Sequence, residues 1–175
     1  MYCFIRKLLF SLLLLSATQV YAESSFIISP SVGGASISNI DGYQNSPSLR
    51  LDASYHPLSG LGLNLFAARY SGFDSSGSGT NVAVKVTGYG AGMTGRWPVH
   101  PHMQPYARLD YMLWDAEASV VGRTLSKDKG GSTGYAVGVQ FPIKRFFGIK
   151  AEVAGYNNVS GADIRQLSVG LAIEF

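Results

Sequence analysis

The chain has few residues that could support thiol, disulfide or metal chemistry. Its 175 residues include one cysteine, Cys3, and three histidines. One cysteine cannot form an internal disulfide, and a structural metal site usually needs four ligands, so we expect no metal and no cofactor. Charged residues make up only 14% of the chain, with a net charge of +3, which gives no indication of a nucleic-acid partner.

Long apolar runs are also missing, apart from a short one near the N-terminus. The basic pair Arg6-Lys7 precedes the apolar run Leu8–Leu15, and Val20-Tyr21-Ala22 resembles a signal-peptidase cleavage site. A transmembrane helix needs roughly 20 apolar residues, so this run is too short to span a bilayer. We therefore predict a cleaved signal peptide over residues 1–22 and a mature domain over 23–175, whose net charge without the basic pair is +1.

The C-terminus is the most informative segment, because large apolar residues stand there at every second position. These residues are Leu167, Val169, Leu171, Ile173 and Phe175. The residues between them are small or polar, and a period of two is typical of a β-strand with one apolar face. An alternation that ends on phenylalanine resembles the insertion signal of outer-membrane barrels. We predict that these five residues form that signal.

The same alternation recurs in seven earlier segments. They begin near Phe26, Leu49, Leu61, Gly88, Ala107, Gly134 and Phe147. Together with the C-terminal segment they give eight strands, each close to the ~10 residues of a transmembrane β-strand. The sequence therefore predicts an all-β protein, an eight-stranded antiparallel up-and-down transmembrane β-barrel.

The predicted connections alternate between short and long. The three short ones carry proline and lie at residues 57–60, 98–105 and 142–145. The four longer, polar ones are predicted as loops at residues 39–48, 71–81, 115–131 and 157–163. Because outer-membrane barrels have short periplasmic turns and longer extracellular loops, we expect both termini to lie in the periplasm.

Seven charged residues share the polar phase of the predicted strands. They are Arg50, Asp52, Arg96, Arg108, Asp110, Lys150 and Glu152. An Arg or Lys that faces lipid at mid-bilayer costs about 2–4 kcal/mol, so we expect these side chains to point into the barrel. An eight-stranded barrel is just wide enough for side chains to fill it, which favours an ion-paired polar network over a narrow pore.

Two parts of the chain resemble the OmpA/OmpX-like family of small outer-membrane barrels. Residues 148–156 with 163–175 resemble the last hairpin of that family, and 105–111 with 114–117 resemble its fifth strand and outer edge. The resemblance implies a monomeric barrel in the outer membrane of a Gram-negative bacterium. We expect no periplasmic peptidoglycan-binding domain after Phe175.

Some members of this fold modify lipid A, so the candidate catalytic residues were considered. His56, His100 and His102 all fall at predicted periplasmic turns, away from lipid A in the outer leaflet, and a His-x-Ser motif is missing. His100 and His102, even with Met103, make a weak metal site, because a structural site usually needs four ligands. We expect no enzyme, and a lipid A-modifying enzyme remains the alternative, as does a narrow pore.

The expected function lies in the surface loops or in envelope integrity. The longest predicted loop, 115–131, carries Arg123, Lys127, Asp128 and Lys129, and could contact a host surface, lipopolysaccharide phosphates or a phage. We predict an integral outer-membrane protein with a structural or surface-interaction role of the adhesion or colonisation type. Outer-membrane lipid, lipopolysaccharide and, during insertion, the barrel-assembly machinery are the expected partners.

Overall fold

The computed structural model is a closed barrel of eight antiparallel strands. It describes residues 24–38, 44–58, 60–74, 82–120 and 123–175. The strands are β1 (Ser25–Ile37), β2 (Ser46–Leu58), β3 (Leu61–Asp74), β4 (Val82–Arg96), β5 (Gln104–Val120), β6 (Arg123–Lys144), β7 (Phe147–Val159) and β8 (Ala162–Glu174). Each strand pairs with its neighbours in sequence, and β1 pairs with β8. The predicted fold is confirmed, whereas the predicted signal peptide lies outside the described residues.

Alternating side chains give the wall an apolar outer face and a mixed inner face. In β3 every second residue from Leu61 to Arg69 is exposed, whereas the residues between them, from Gly62 to Tyr70, are buried. Outward residues remain uncovered even when they are large, and Leu109 is 71% exposed. A closed sheet satisfies its backbone hydrogen bonds internally, so a wall of this kind is suited to lipid. Among the described residues, no helix has the length and hydropathy needed to cross a membrane.

The two ends of the barrel differ in character. One end, the terminal end, holds Ser25, Phe175 and the connections β2–β3, β4–β5 and β6–β7; the opposite end, the loop end, holds the other four connections. Large exposed aromatic side chains surround the terminal end: Tyr55, Trp97, Phe141, Phe147 and Phe175. Aromatic residues in this position are typical of a membrane–water interface.

Two predicted loops were wrong, because most of their residues are in strands. Residues 115–120 belong to β5 and 123–131 to β6, so the predicted loop 115–131 is a β-hairpin. Residues 157–163 lie mostly in β7 and β8, joined by a turn in which Ser160 and Gly161 have φ of 52° and 82°. The inward positions of these segments include Ala116, Ala118, Val159 and Ala162, but their outward positions are mostly polar, so the segments lack the outward apolar alternation of the other strands. Pairing across the hairpin stabilises them.

Candidate functional site

Six charged side chains meet in the middle of the barrel. They are Arg50 and Asp52 from β2, Arg108 and Asp110 from β5, and Lys150 and Glu152 from β7. Each residue is at most 6% exposed. Each strand contributes an oppositely charged pair two residues apart, and such residues share one face of a strand. We call these six residues the charged network.

Asp52 accepts hydrogen bonds from all three cations of the charged network. Its Oδ1 lies 2.8 Å from Arg50 Nε and 3.1 Å from Arg108 Nη1, and its Oδ2 lies 2.9 Å from Lys150 Nζ. Arg108 also bonds Asp110, with 2.9 Å between Nε and Oδ2, and Glu152, with 2.9 Å between Nη2 and Oε1. Three cations therefore face three carboxylates, so the network is neutral overall and each charge has an opposite partner.

Neutral side chains complete the charged network. The Tyr106 hydroxyl donates to Glu152 at 2.8 Å, and Asn64 Nδ2 donates to Asp110 at 3.1 Å. The Tyr156 hydroxyl donates to Asp110 at 3.1 Å and accepts a hydrogen bond from Arg50. These partners were missed in the sequence, although Tyr106 stands two residues before Arg108 on the same strand face. Its inward phase was the signal that could have identified it.

Glycines on the neighbouring strands make room for these large side chains. A Cβ added at Gly92 would lie 2.3 Å from Asp110 Oδ1, and one added at Gly138 would lie 2.6 Å from the Tyr106 ring. Both contacts are too short for real atoms, so these positions need glycine. The small residues of β4 and β6 are therefore part of the packing around the charged network.

Arg96, the seventh predicted member, does not join the charged network. It lies at the terminal end, where its Nη1 is 3.7 Å from Glu174 Oε1 and its Nη2 is 3.5 Å from the Ser25 hydroxyl. The alternation along β4 indicates which face of the strand Arg96 is on. It does not indicate how far along the barrel axis the side chain lies.

The five residues of the predicted insertion signal lie on β8 and at the chain end. Leu167, Val169 and Leu171 are exposed on the outer face, Ile173 is half-buried and Phe175 is exposed. The Phe175 backbone N–H donates to the Phe26 carbonyl oxygen at 2.8 Å, and the two rings lie 6.4 Å apart between centroids. The last residue is therefore held at the β1–β8 seam that closes the barrel. Its role as an insertion signal stays a prediction.

The histidines lie at the terminal end. His56 is buried in β2, while His100 and His102 are exposed in the connection between β4 and β5, with His102 N–H donating to His100 Nδ1 at 3.2 Å. Within the described ranges, His, Cys, Asp and Glu side chains form no group of three or more that could hold a metal ion.

On one side of the loop end the paired strands β5 and β6 extend past the end of the β6–β7 pairing. β6 begins at Arg123, but its pairing with β7 begins only at Gly134, so the first 11 residues of β6 have no pairing partner in β7. At about 3.4 Å per residue this free edge, which lacks strand pairing with β7, is about 37 Å long. Side-chain hydrogen bonds at Asp128 and Ser132 connect it to the β7–β8 turn and the end of β7. We call residues 115–131 the projecting hairpin.

Comparison with known proteins identifies the family of this barrel. The family model described as outer membrane protein beta-barrel domain matches residues 8–175. The chain belongs to this family. No match was found among curated proteins.

Solved structures share the fold of this outer-membrane barrel. Neisserial surface protein A is 20% identical, with 88% of this chain and all of that chain covered and a TM-score of 0.71. Ail, the attachment invasion locus protein of Yersinia pestis, in complex with the heparin analogue sucrose octasulfate, is 21% identical, with 88% and 100% covered and a TM-score of 0.65. OprG from Pseudomonas aeruginosa is 11% identical, with 88% and 96% covered and a TM-score of 0.62.

Membership of this family places the barrel in the outer membrane. On the projecting hairpin, charged residues take outward positions that apolar residues hold elsewhere in the wall. These charges are paired: Lys129 Nζ lies 2.9 Å from Asp115 Oδ1, and Lys127 Nζ lies 3.9 Å from Glu117 Oε1. A hydrogen bond from Thr124 and the charge of Lys127 lower the pKa of Glu117. Exposed ion pairs of this kind keep a strand edge soluble.

Proposed function

We propose that this outer-membrane barrel is a surface-interaction protein of the adhesion or colonisation type, and that the projecting hairpin is its contact surface. In this proposal both termini lie in the periplasm and the loop end faces the exterior. The observation that carries it is the 11-residue free edge of β6 before Gly134. In rigid scaffolds, binding residues are found mainly on the segments that connect the strands and extend from the scaffold.

A free strand edge suits one kind of contact in particular. An extended segment of a protein partner can add to it as a further strand, with backbone hydrogen bonds that supply affinity. The exposed side chains next to the edge, Leu125, Lys127 and Lys129, would then contribute specificity. The carboxylates of Asp115 and Glu117 balance the two lysines in their ion pairs, so charge alone does not select the partner.

The fold comparison supports this role only in general terms. Ail, which carries attachment in its name, has the same architecture at 21% identity. At this level the likeness concerns the scaffold, and a fold does not determine a function. The proposal therefore depends on the hairpin of this chain.

The interior supports a closed barrel rather than a pore or an enzyme. We propose that the charged network closes the lumen, since its six side chains bond one another across the barrel axis. The histidines lie at the terminal end, and the loop end is where an enzyme of outer-leaflet lipid A would need its base.

Shortening the hairpin tests the proposed function. Residues 117–127 would be replaced by Asn-Gly, because Ala116 and Asp128 are directly paired and Asn-Gly forms a two-residue turn. We expect cells that carry this variant to lose attachment to host cells or host matrix, while the protein still shows the gel shift between unboiled and boiled samples that marks a folded barrel.

Transfer of the hairpin provides the reciprocal experiment. Residues 115–131 would be placed on an inert eight-stranded barrel, with the ungrafted barrel as the control. Gain of binding by the graft supports the proposal. If the graft binds nothing and the shortened variant attaches normally, the surface-interaction role is wrong; increased detergent sensitivity in a deletion strain would then indicate a structural role in the envelope.

A further inference from the structure

The barrel interior next to the loop end is apolar and contains a cavity of about 140 Å³. Branched or aromatic side chains make up half of its wall: Ile37, Phe73, Val84, Val86, Val159 and Ile164. Three polar residues, Ser126, Asp128 and Ser160, lie at its rim on the projecting hairpin and the β7–β8 turn. We call this cavity the apolar cup.

The apolar cup is separated from the charged network by packed side chains. On β5 the inward residues that follow Asp110 are Met112 and Trp114, which are 0% and 6% exposed, and then Ala116 in the cup wall. The Trp114 indole N–H donates to the Ser132 hydroxyl at 2.9 Å, so its polar atom is satisfied. The two inward residues of β5 between the cup and the charged network therefore have no unsatisfied polar side-chain atom.

The chemistry of the wall indicates what the cup can hold. A buried water needs two to four polar partners, and an enclosed apolar cavity of about 150 Å³ stays dry and binds benzene. The apolar cup is similar in size, but it is open on the side of its polar rim. Among the lining residues that the structure describes, the polar side chains are those at the rim, where the Ser160 hydroxyl donates to Asp128 Oδ2 at 2.8 Å. A ligand with an apolar body and a small uncharged polar end matches this arrangement.

We propose that the apolar cup binds a small uncharged apolar molecule, of about the size of benzene or benzyl alcohol, with its polar end at the rim. The Asp128 carboxylate at the rim disfavours an anionic ligand. The cup shares Ala116, Ala118, Ser126 and Asp128 with the projecting hairpin, so shortening the hairpin would disturb both sites. Substitutions that fill the cup and leave the backbone edge of β6 in place therefore distinguish failure of the cup from failure of the proposed attachment.

Titration of the whole protein in phospholipid nanodiscs with benzyl alcohol tests the proposal. Methyl signals of Val86 and Ile164 report on the cup, whereas those of Leu51 and Val169 on the outer face report on probe dissolved in the lipid. We expect saturable shifts at the cup methyls and linear, smaller shifts at the outer ones. Shifts that are linear and equal at both sets would overturn the proposal.

Filling the cup provides a second readout. Ala116→Phe places a ring in the cavity, and Ala118→Phe does so at its half-buried edge. Ala91→Phe, on the outer face, is the matched control. We expect at least a tenfold loss of affinity for benzyl alcohol in the first two variants and none in the control. If Ala116→Phe does not fold, Ala118→Phe decides, and unchanged affinity in the folded variants contradicts the site.

The rim charge can be tested with a matched anion. Benzoate should bind about fivefold more weakly than benzyl alcohol, the factor expected for two like unit charges about 4 Å apart in water. Asp128→Asn should reduce that difference. If benzoate and benzyl alcohol bind equally to the wild type, the assignment of the polar end to the rim is wrong.

Discussion

Replacing Asp52 with asparagine should be strongly destabilising. Asp52→Asn preserves the shape of the side chain but leaves three cations facing two carboxylates inside the barrel. Asp52 contacts Arg50, Arg108 and Lys150 at 2.8–3.1 Å and is 2% exposed. Removing one partner from a buried ion pair costs about 3–5 kcal/mol, because the remaining charge is left uncompensated. We expect a loss in this range.

The chain contains a matched control for this substitution. Asp115 also lies 2.9 Å from a lysine, Lys129, but these side chains are 53% and 78% exposed. An exposed pair contributes about 0–1 kcal/mol, since water solvates each charge once the partner is lost. Asp115→Asn should therefore change the stability little, although the pair distance is the same as that between Asp52 and Lys150.

A double variant separates charge imbalance from other effects. Lys150→Met removes the surplus cation created by Asp52→Asn and keeps a side chain of similar length, so the double variant should regain at least half of the lost stability. The assay is urea unfolding in phospholipid vesicles, followed by tryptophan fluorescence, with linear extrapolation. The reasoning is refuted if Asp52→Asn costs no more than Asp115→Asn, or if the second substitution adds to the loss.

Three further predictions concern the seam, the wall packing and the lumen. Deletion of Phe175 should reduce the folded, heat-shifting fraction in the outer membrane, whereas Phe175→Tyr should preserve it; equal fractions would exclude an insertion signal. Gly33→Ala should reduce the free energy of unfolding in urea by about 1–3 kcal/mol, because its Cβ would lie 2.1 Å from a β8 carbonyl oxygen. Gly34→Ala should change it little, because its Cβ would have no atom within 4 Å. A large loss in Gly34→Ala would show that the strand register is wrong. Conductance in a planar bilayer should stay low in Arg108→Ser, because the packed apolar side chains above the charged network still block the lumen. It should rise in the double variant that also carries Trp114→Gly. A rise in Arg108→Ser alone would show that the apolar layer is not a barrier.

The inner face of the barrel could be predicted because charge and strand period gave the same answer. Arg50 with Asp52, and Lys150 with Glu152, stand two residues apart, so all four must share the inner face if none can face lipid. Closure then brings three strands together across a narrow lumen. Distances between strands that are not neighbours depend on closure and tilt, which a linear pattern does not contain. Arg96 illustrates this, because it shares the strand face expected for the network but lies at the terminal end of the barrel, away from the other six residues.

The projecting hairpin could not be recognised by apolar alternation. Its outward positions hold acidic residues on β5 and basic residues on β6. The residues that repeat at every second position are therefore charged and not apolar. Asp115 and Glu117 lie opposite Lys129 and Lys127 in the register. Opposite charges directly across a strand pair stabilise it, and this complementary spacing was a signal in the sequence that an apolar template does not detect.

The apolar cup escaped prediction for a related reason, and it affects how the lumen is closed. Inward residues near the loop end, such as Phe73 and Val86, are as apolar as the outward ones, so composition does not separate the faces there. Yet Tyr70, Phe73 and Met112 are fully buried between the loop end and the charged network. An ion that enters from the loop end would have to cross this packed layer before it reached the charged network. If the charged network closes the lumen as we propose, the apolar layer forms a second barrier in series with it, and opening either one should leave the other in place.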